Sequence, residues 1–128
     1  MTIELSRKLA ALLGIVTPVL ETIRRWSTWR ENPPALFDDY VVSAFLLYGA
    51  WRVGKDPVSG QRFLTAAWGV GLGMIFLSFF GQLNALRQGE LDPAPVSSES
   101  VAVIKGVGFV IIILGLVSSL RKVEVKGN

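Results

Sequence analysis

Four ionisable side chains, Glu21, Asp38, Asp39 and Lys105, stand at the edges of runs otherwise as apolar as lipid tails. Carboxylates at such a boundary can cap a helix, pair with a cation, or line an ion path. The chemistry open to them is narrow, because the chain has no cysteine and no histidine. That excludes disulfides, zinc and iron–sulfur sites, haem held by imidazole, and every scheme with a Cys or His nucleophile or base. Nothing pairs two carboxylates, or a carboxylate with Lys, in the middle of an apolar run. An enzyme is therefore not expected, and no catalytic, cofactor-binding or metal residue is assigned.

The elements that must position these charges follow from composition. The chain has 128 residues, 51% hydrophobic and 18% charged, with mean hydropathy +0.48. A soluble domain of this size could not cover so much apolar surface. The net charge of +3 does not call for nucleic acid as a partner, since a membrane protein gathers Lys and Arg on its cytoplasmic side.

Residues 63–86 run without a charge; as a helix they would reach about 36 Å, against a hydrocarbon core of about 30 Å. Residues 101–120 are interrupted only by Lys105 and end in Arg121 and Lys122. Residues 36–53 suffice if Asp38, Asp39 and Arg52 reach toward headgroups. The apolar run at 9–20 is short, so the first segment spans only if its flanks join it. The expected fold is all-α: an integral membrane four-helix bundle of antiparallel up-down spans. One membrane domain, 1–128, would hold helices near 5–26, 36–53, 62–86 and 100–121. The alternative is three spans plus an N-terminal interfacial helix. A signal peptide is not expected, because bulky, basic residues stand at 21–29 where a small-residue cleavage site should follow.

Breakers mark the connections. Residues 53–61 read as a short turn, 87–100 as a longer polar loop, and Pro33 and Pro34 as part of the loop before the second helix. Ser97 or Ser98 can cap the fourth helix, with Glu99 favourable in its first turn.

Charge counting orients the spans. With four, one side collects Arg7, Lys8, Arg52, Lys55, Arg62, Arg121, Lys122 and Lys126 against Glu4, Asp56 and Glu124. The other holds Arg24, Arg25, Arg30, Arg87 and Lys105 against seven acids, among them Glu21, Asp38 and Asp39. Three spans would divide Lys and Arg almost evenly. The asymmetry favours four spans with both termini cytoplasmic, in a multi-pass protein of the cell membrane, the inner membrane of a cell with two.

In this topology Asp38 and Asp39 cap the second helix at the outer water interface. A sharper alternative places Glu21, Asp39 and Lys105 at one depth as a cluster, with an Asp39–Lys105 contact. Residues 68–74 have a G-x-G-x-G spacing with no Lys or Ser/Thr following, which is not a phosphate loop. Small residues there and in the fourth helix, Ala67 with Gly71, Gly69 with Gly73, Ala102 with Gly106 and Gly115 with Ser119, instead suit close helix packing. That packing is expected inside the monomer, with a dimer seam as the alternative. Trp26, Trp29, Tyr40 and Trp51 fall near span ends, as an aromatic belt requires, and Trp68 does not.

The stretch Ala66-Ala67-Trp68-Gly69-Val70-Gly71 loosely resembles the third-helix motif of the small multidrug resistance transporters. Gly69 stands where that motif has Ser, and Glu21 lies at a helix end where that family has a central Glu. The expected function is a non-enzymatic accessory or assembly subunit, with the lipid bilayer and a larger membrane complex or a homo-oligomer as partners. The alternative is a small oligomeric transporter or channel with Glu21, Asp38, Asp39 and Lys105 at an acidic outer entrance.

Overall fold

The structure, a computed structural model, describes residues 2–124. It is all-helical there: α1 (Ile3–Arg25), α2 (Pro33–Lys55), α3 (Pro57–Arg87) and α4 (Ser98–Ser119), with no strand among the described residues. α3 and α4 are each long and apolar enough to cross a membrane. α1 and α2, at about 34 Å, are long enough as well but carry more charge along their length.

The proline positions explain two differences from the sequence reading. Pro33 and Pro34 do not sit in the preceding loop but open α2 itself. A proline in the first helical turn loses nothing, since its missing N–H would have had no partner and its φ is already helical. α2 thus begins more than a turn before Asp38 and Asp39, and its first turn holds no acid. The two carboxylates do not cap it.

Pro57 plays the same part in α3, so the expected 53–61 turn shrinks to the single residue Asp56. The Asp56 carboxylate accepts from Val58 N–H at 3.1 Å, and Ser59 together with that N–H holds its carboxyl below the usual range. So tight a joint needs backbones in contact: a Cβ on Gly60 would lie 2.5 Å from the Arg52 and Val53 backbone, and one on Gly49 would lie 2.8 Å from Leu64 Cα.

The other ends are built as the residue types suggest. Ser97 caps α4, accepting from Ser100 N–H at 3.2 Å, with Glu99 in the first turn. α3 ends on Gly89 at φ +75°, where Gly89 N–H reaches Leu86 O and Glu90 N–H reaches Ala85 O. That left-handed residue with paired bonds is the usual glycine helix stop.

Each helix packs against its sequence neighbour; α1 also packs against α4 and touches α3, while the backbones of α2 and α4 stay apart. The core of Ala10, Leu46, Val53, Leu64, Ala67 and Trp68 gathers in the half of the molecule that holds the α2–α3 joint. The outward faces stay apolar: Leu77 is 73% exposed and Val103 65%.

Candidate functional site

At the other end the four helices separate around a cavity of about 490 Å³ whose walls come from all of them. Glu21, Arg24, Arg25, Asp38, Asp39 and Lys105 line its mouth. Its depth is apolar, with Leu13, Leu46, Ile111 and Ile112 among the walls. Volumes of this order hold drug-sized ligands.

One part of the mouth is a closed ion-pair network. Glu21 accepts from Arg24 Nη1 at 3.0 Å and from Arg25 Nε at 3.0 Å, pairs at helical spacing on α1. Arg24 turns its fork to Asp92 in the loop before α4, Nε to Oδ1 at 2.9 Å and Nη2 to Oδ2 at 2.7 Å. The geometry is bidentate, the strong form of this pair. Only 12% of the Arg24 side chain and 3% of that of Asp92 remain exposed. Burial works against the Asp92 charge, but the Arg24 guanidinium and the Ala94 N–H outweigh it and hold the carboxyl below its ordinary value. Asp92 N–H also donates to Ser98 Oγ at 3.0 Å, so the pair fastens the loop to two helices.

The remaining charges are not joined to this network. Lys105 Nζ donates to Gln82 Oε1 at 3.2 Å, and Gln82, itself buried, passes on a longer bond to Ser98 O at 3.4 Å. The Asp39–Lys105 contact raised from the sequence is not formed: α2 and α4 stand at opposite corners, and α3 supplies the partner to Lys105. Asp38 and Asp39 line the cavity with no hydrogen bond and no ion pair among the described residues. One turn deeper on α2, Ser43 is 4% exposed, and its Oγ has no partner. The structure thus brings Glu21, Asp38, Asp39 and Lys105 to one mouth without joining them in one cluster. No three His, Cys, Asp or Glu side chains among the described residues converge as a metal site would need.

Beneath the cavity the helices close on a polar knot. Ser6 Oγ on α1 donates to Gly115 O on α4 at 2.8 Å and accepts from Trp68 Nε1 on α3 at 2.7 Å. Trp68 is fully buried, and a Cβ on Gly115 would collide with its ring. The tryptophan outside the interfacial belt is therefore a core residue with its N–H satisfied, as a buried indole requires.

Most of the small-residue positions make contacts. Ala67 and Ala102 are buried, Gly71 lies against Val42 and Ile112, and Gly106 against the Phe79 ring. The Ser119 hydroxyl bonds Thr65 Oγ1 at 2.9 Å. For packing inside the monomer Gly69 and Gly73 are a correction, because a Cβ on either would meet open space. They lie one turn apart on a stripe rotated away from the Leu64, Ala67, Trp68 and Gly71 face.

Reasoning from sequence missed Asp92, Gln82 and Ser43. Asp92 pairs with Arg24 across 68 positions, and no local signal could have announced it. Ser43 was readable only as a polar interruption in the less apolar face of α2. Compared with known proteins, the chain matches no family model, no curated protein and no solved structure.

Proposed function

We propose that the chain is an integral membrane protein of four antiparallel spans, with both termini cytoplasmic, that acts by binding as an accessory or assembly subunit. The observation that carries this is the distribution of exposed apolar side chains. Leu12, Ile15 and Val19 on α1, Phe45 on α2, and Leu77 and Val103 farther along are all exposed, while ionisable residues keep to the helix ends. An apolar middle girdled by charged ends suits lipid or a partner's helices and would not be tolerated facing water. The knot below the cavity favours binding over conduction, since a path through the molecule would have to part Ser6, Trp68 and Gly115.

Single cysteines in this cysteine-free chain test the orientation with an impermeant thiol reagent. Leu91, 93% exposed before α4, and Val58, 55% exposed at the start of α3, are suitable sites. Leu91→Cys is expected to label in intact cells and Val58→Cys only after lysis; the reverse pattern overturns the topology. Purification from the native membrane in mild detergent is expected to bring a stable companion protein. A lone homo-oligomer would favour the second reading, a small transporter. The observation in its favour is that Glu21, Asp38, Asp39 and Lys105 all line one cavity.

A further inference from the structure

The charges at the mouth are of two kinds. Glu21, Arg24 and Asp92 satisfy one another, while Arg25 gives its Nε to Glu21 and keeps its two Nη groups. Asp38 and Asp39 have no donor among the described residues, and Lys105 uses one N–H on a neutral amide and keeps two. The backbones of α2 and α4 stay apart, and the two open carboxylates on α2 and the open ammonium on α4 line the cavity from different helices.

Below Asp39, about 6 Å down the axis of α2, the unpartnered Ser43 hydroxyl is buried in the cavity wall. A buried hydroxyl without a partner carries a desolvation cost of about 1–3 kcal/mol unless something bonds it. Beyond Ser43 the wall is hydrocarbon. Two of the upper wall residues, Leu77 and Ile104, are themselves at least half exposed, so the cavity is open sideways as well as at its mouth.

From the mouth inward the open groups are acceptors for a cationic N–H donor, a cation for an anion, a hydroxyl, and an apolar slot. We infer that the cavity holds one zwitterionic amino-phospholipid. Its ammonium meets Asp38 and Asp39, its phosphate meets Lys105, an ester carbonyl accepts from Ser43 once that buried hydroxyl turns toward the slot, and one acyl chain lies between the helices. The second chain stays in the bilayer through the side opening. The inference rests on the membrane reading above and names the ligand of the site. A choline headgroup offers the carboxylates no N–H, and a glycerol headgroup leaves them without a cation.

Native mass spectrometry of the full chain, released from a neutral saccharide detergent, tests this with dioleoyl phosphatidylethanolamine, phosphatidylcholine and phosphatidylglycerol added at equal concentration. One phosphatidylethanolamine per chain is expected to survive release, at least fivefold above either of the others. In the double variant Asp38→Asn/Asp39→Asn the preference should fall within twofold, and in Lys105→Met retention of all three lipids should fall. The Asn variants keep the shape of side chains that make no hydrogen bond or ion pair among the described residues, and an unchanged melting temperature certifies their fold. Ser43→Leu, which pushes a side chain into the slot from a separate position, should displace the lipid in a chain that still melts cooperatively. Equal retention of the three lipids, or a preference that survives Asp38→Asn/Asp39→Asn, overturns the inference. Failure here with Leu91→Cys labelled from outside removes the ligand and leaves the membrane reading standing. Reversed labelling with selective retention removes the topology and leaves the ligand.

Discussion

The two ends of this molecule are held together by different physics. At the end with the α2–α3 joint, backbones approach so closely that Gly49, Gly60 and Gly115 have no room for a Cβ, and an indole fills what is left. At the other end the helices stand apart around a cavity, and charged side chains reach across to hold them. Packing tolerates no added atom, whereas a network of ions tolerates shape changes and fails when one charge is removed. One end is closed by contact between backbones, and the other encloses a cavity.

Changes of side-chain volume should break the first end and spare the second. Gly60→Val, with its Cβ against immovable backbone, is expected to cost about 3 kcal/mol or more, the upper range for overpacking. Gly73→Leu, facing open space, should change thermal stability in detergent by less than about 0.5 kcal/mol, as surface substitutions do. Similar losses in both would remove the distinction.

Changes of charge should do the opposite. Arg24→Met leaves Asp92 buried without its fork and Glu21 with one partner, for an expected loss of about 2–3 kcal/mol, somewhat below that of a fully buried pair. Adding Asp92→Asn should restore part of it, and a coupling below roughly 0.5 kcal/mol would mean that the pair does not hold the mouth. The same pair sets an acid limit. The Asp92 carboxyl is held below its ordinary value in the folded chain, so its contribution is complete above the unfolded value of about 3.9. It is lost as pH falls through the lower folded value. Melting temperatures between pH 6 and pH 2.5 should fall less steeply for Asp92→Asn than for the parent, and parallel curves would contradict the assignment.

The smallest effect sharpens the comparison within the mouth. Asp39 and Lys105 have no direct contact, so Asp39→Asn and Lys105→Met should add in a double-mutant cycle on thermal stability without lipid. Non-additivity above roughly 0.5 kcal/mol would mean that the two charges are joined after all.

Order and approximate extent of the helices were legible because long charge-free runs and clustered breakers have no other economical reading. The starts of α2 and α3 were not, since Pro33, Pro34 and Pro57 read as breakers when each stands in a first turn, where proline fits. That one confusion turned Asp38 and Asp39 from wall residues into caps. Glu21, Asp38, Asp39 and Lys105 could be placed at one end from their distance to breakers alone. Their partners could not, because Arg24 to Asp92 and Lys105 to Gln82 depend on which helices are neighbours. Small-residue spacing likewise marks a face without saying what it meets. Gly71 and Gly73 fit the pattern equally, and only the first faces a neighbouring helix.

A joint of one residue between α2 and α3 has a bearing on how the chain takes shape. Closing so short a connection costs little chain entropy, and the contacts it brings, such as Gly49 on Leu64, lie near one another in sequence. Of the packed helix pairs, α2 and α3 are therefore the one whose association demands least of the intervening chain. The cavity, by contrast, takes walls from all four helices, so it is the feature of the molecule that needs the whole chain in place.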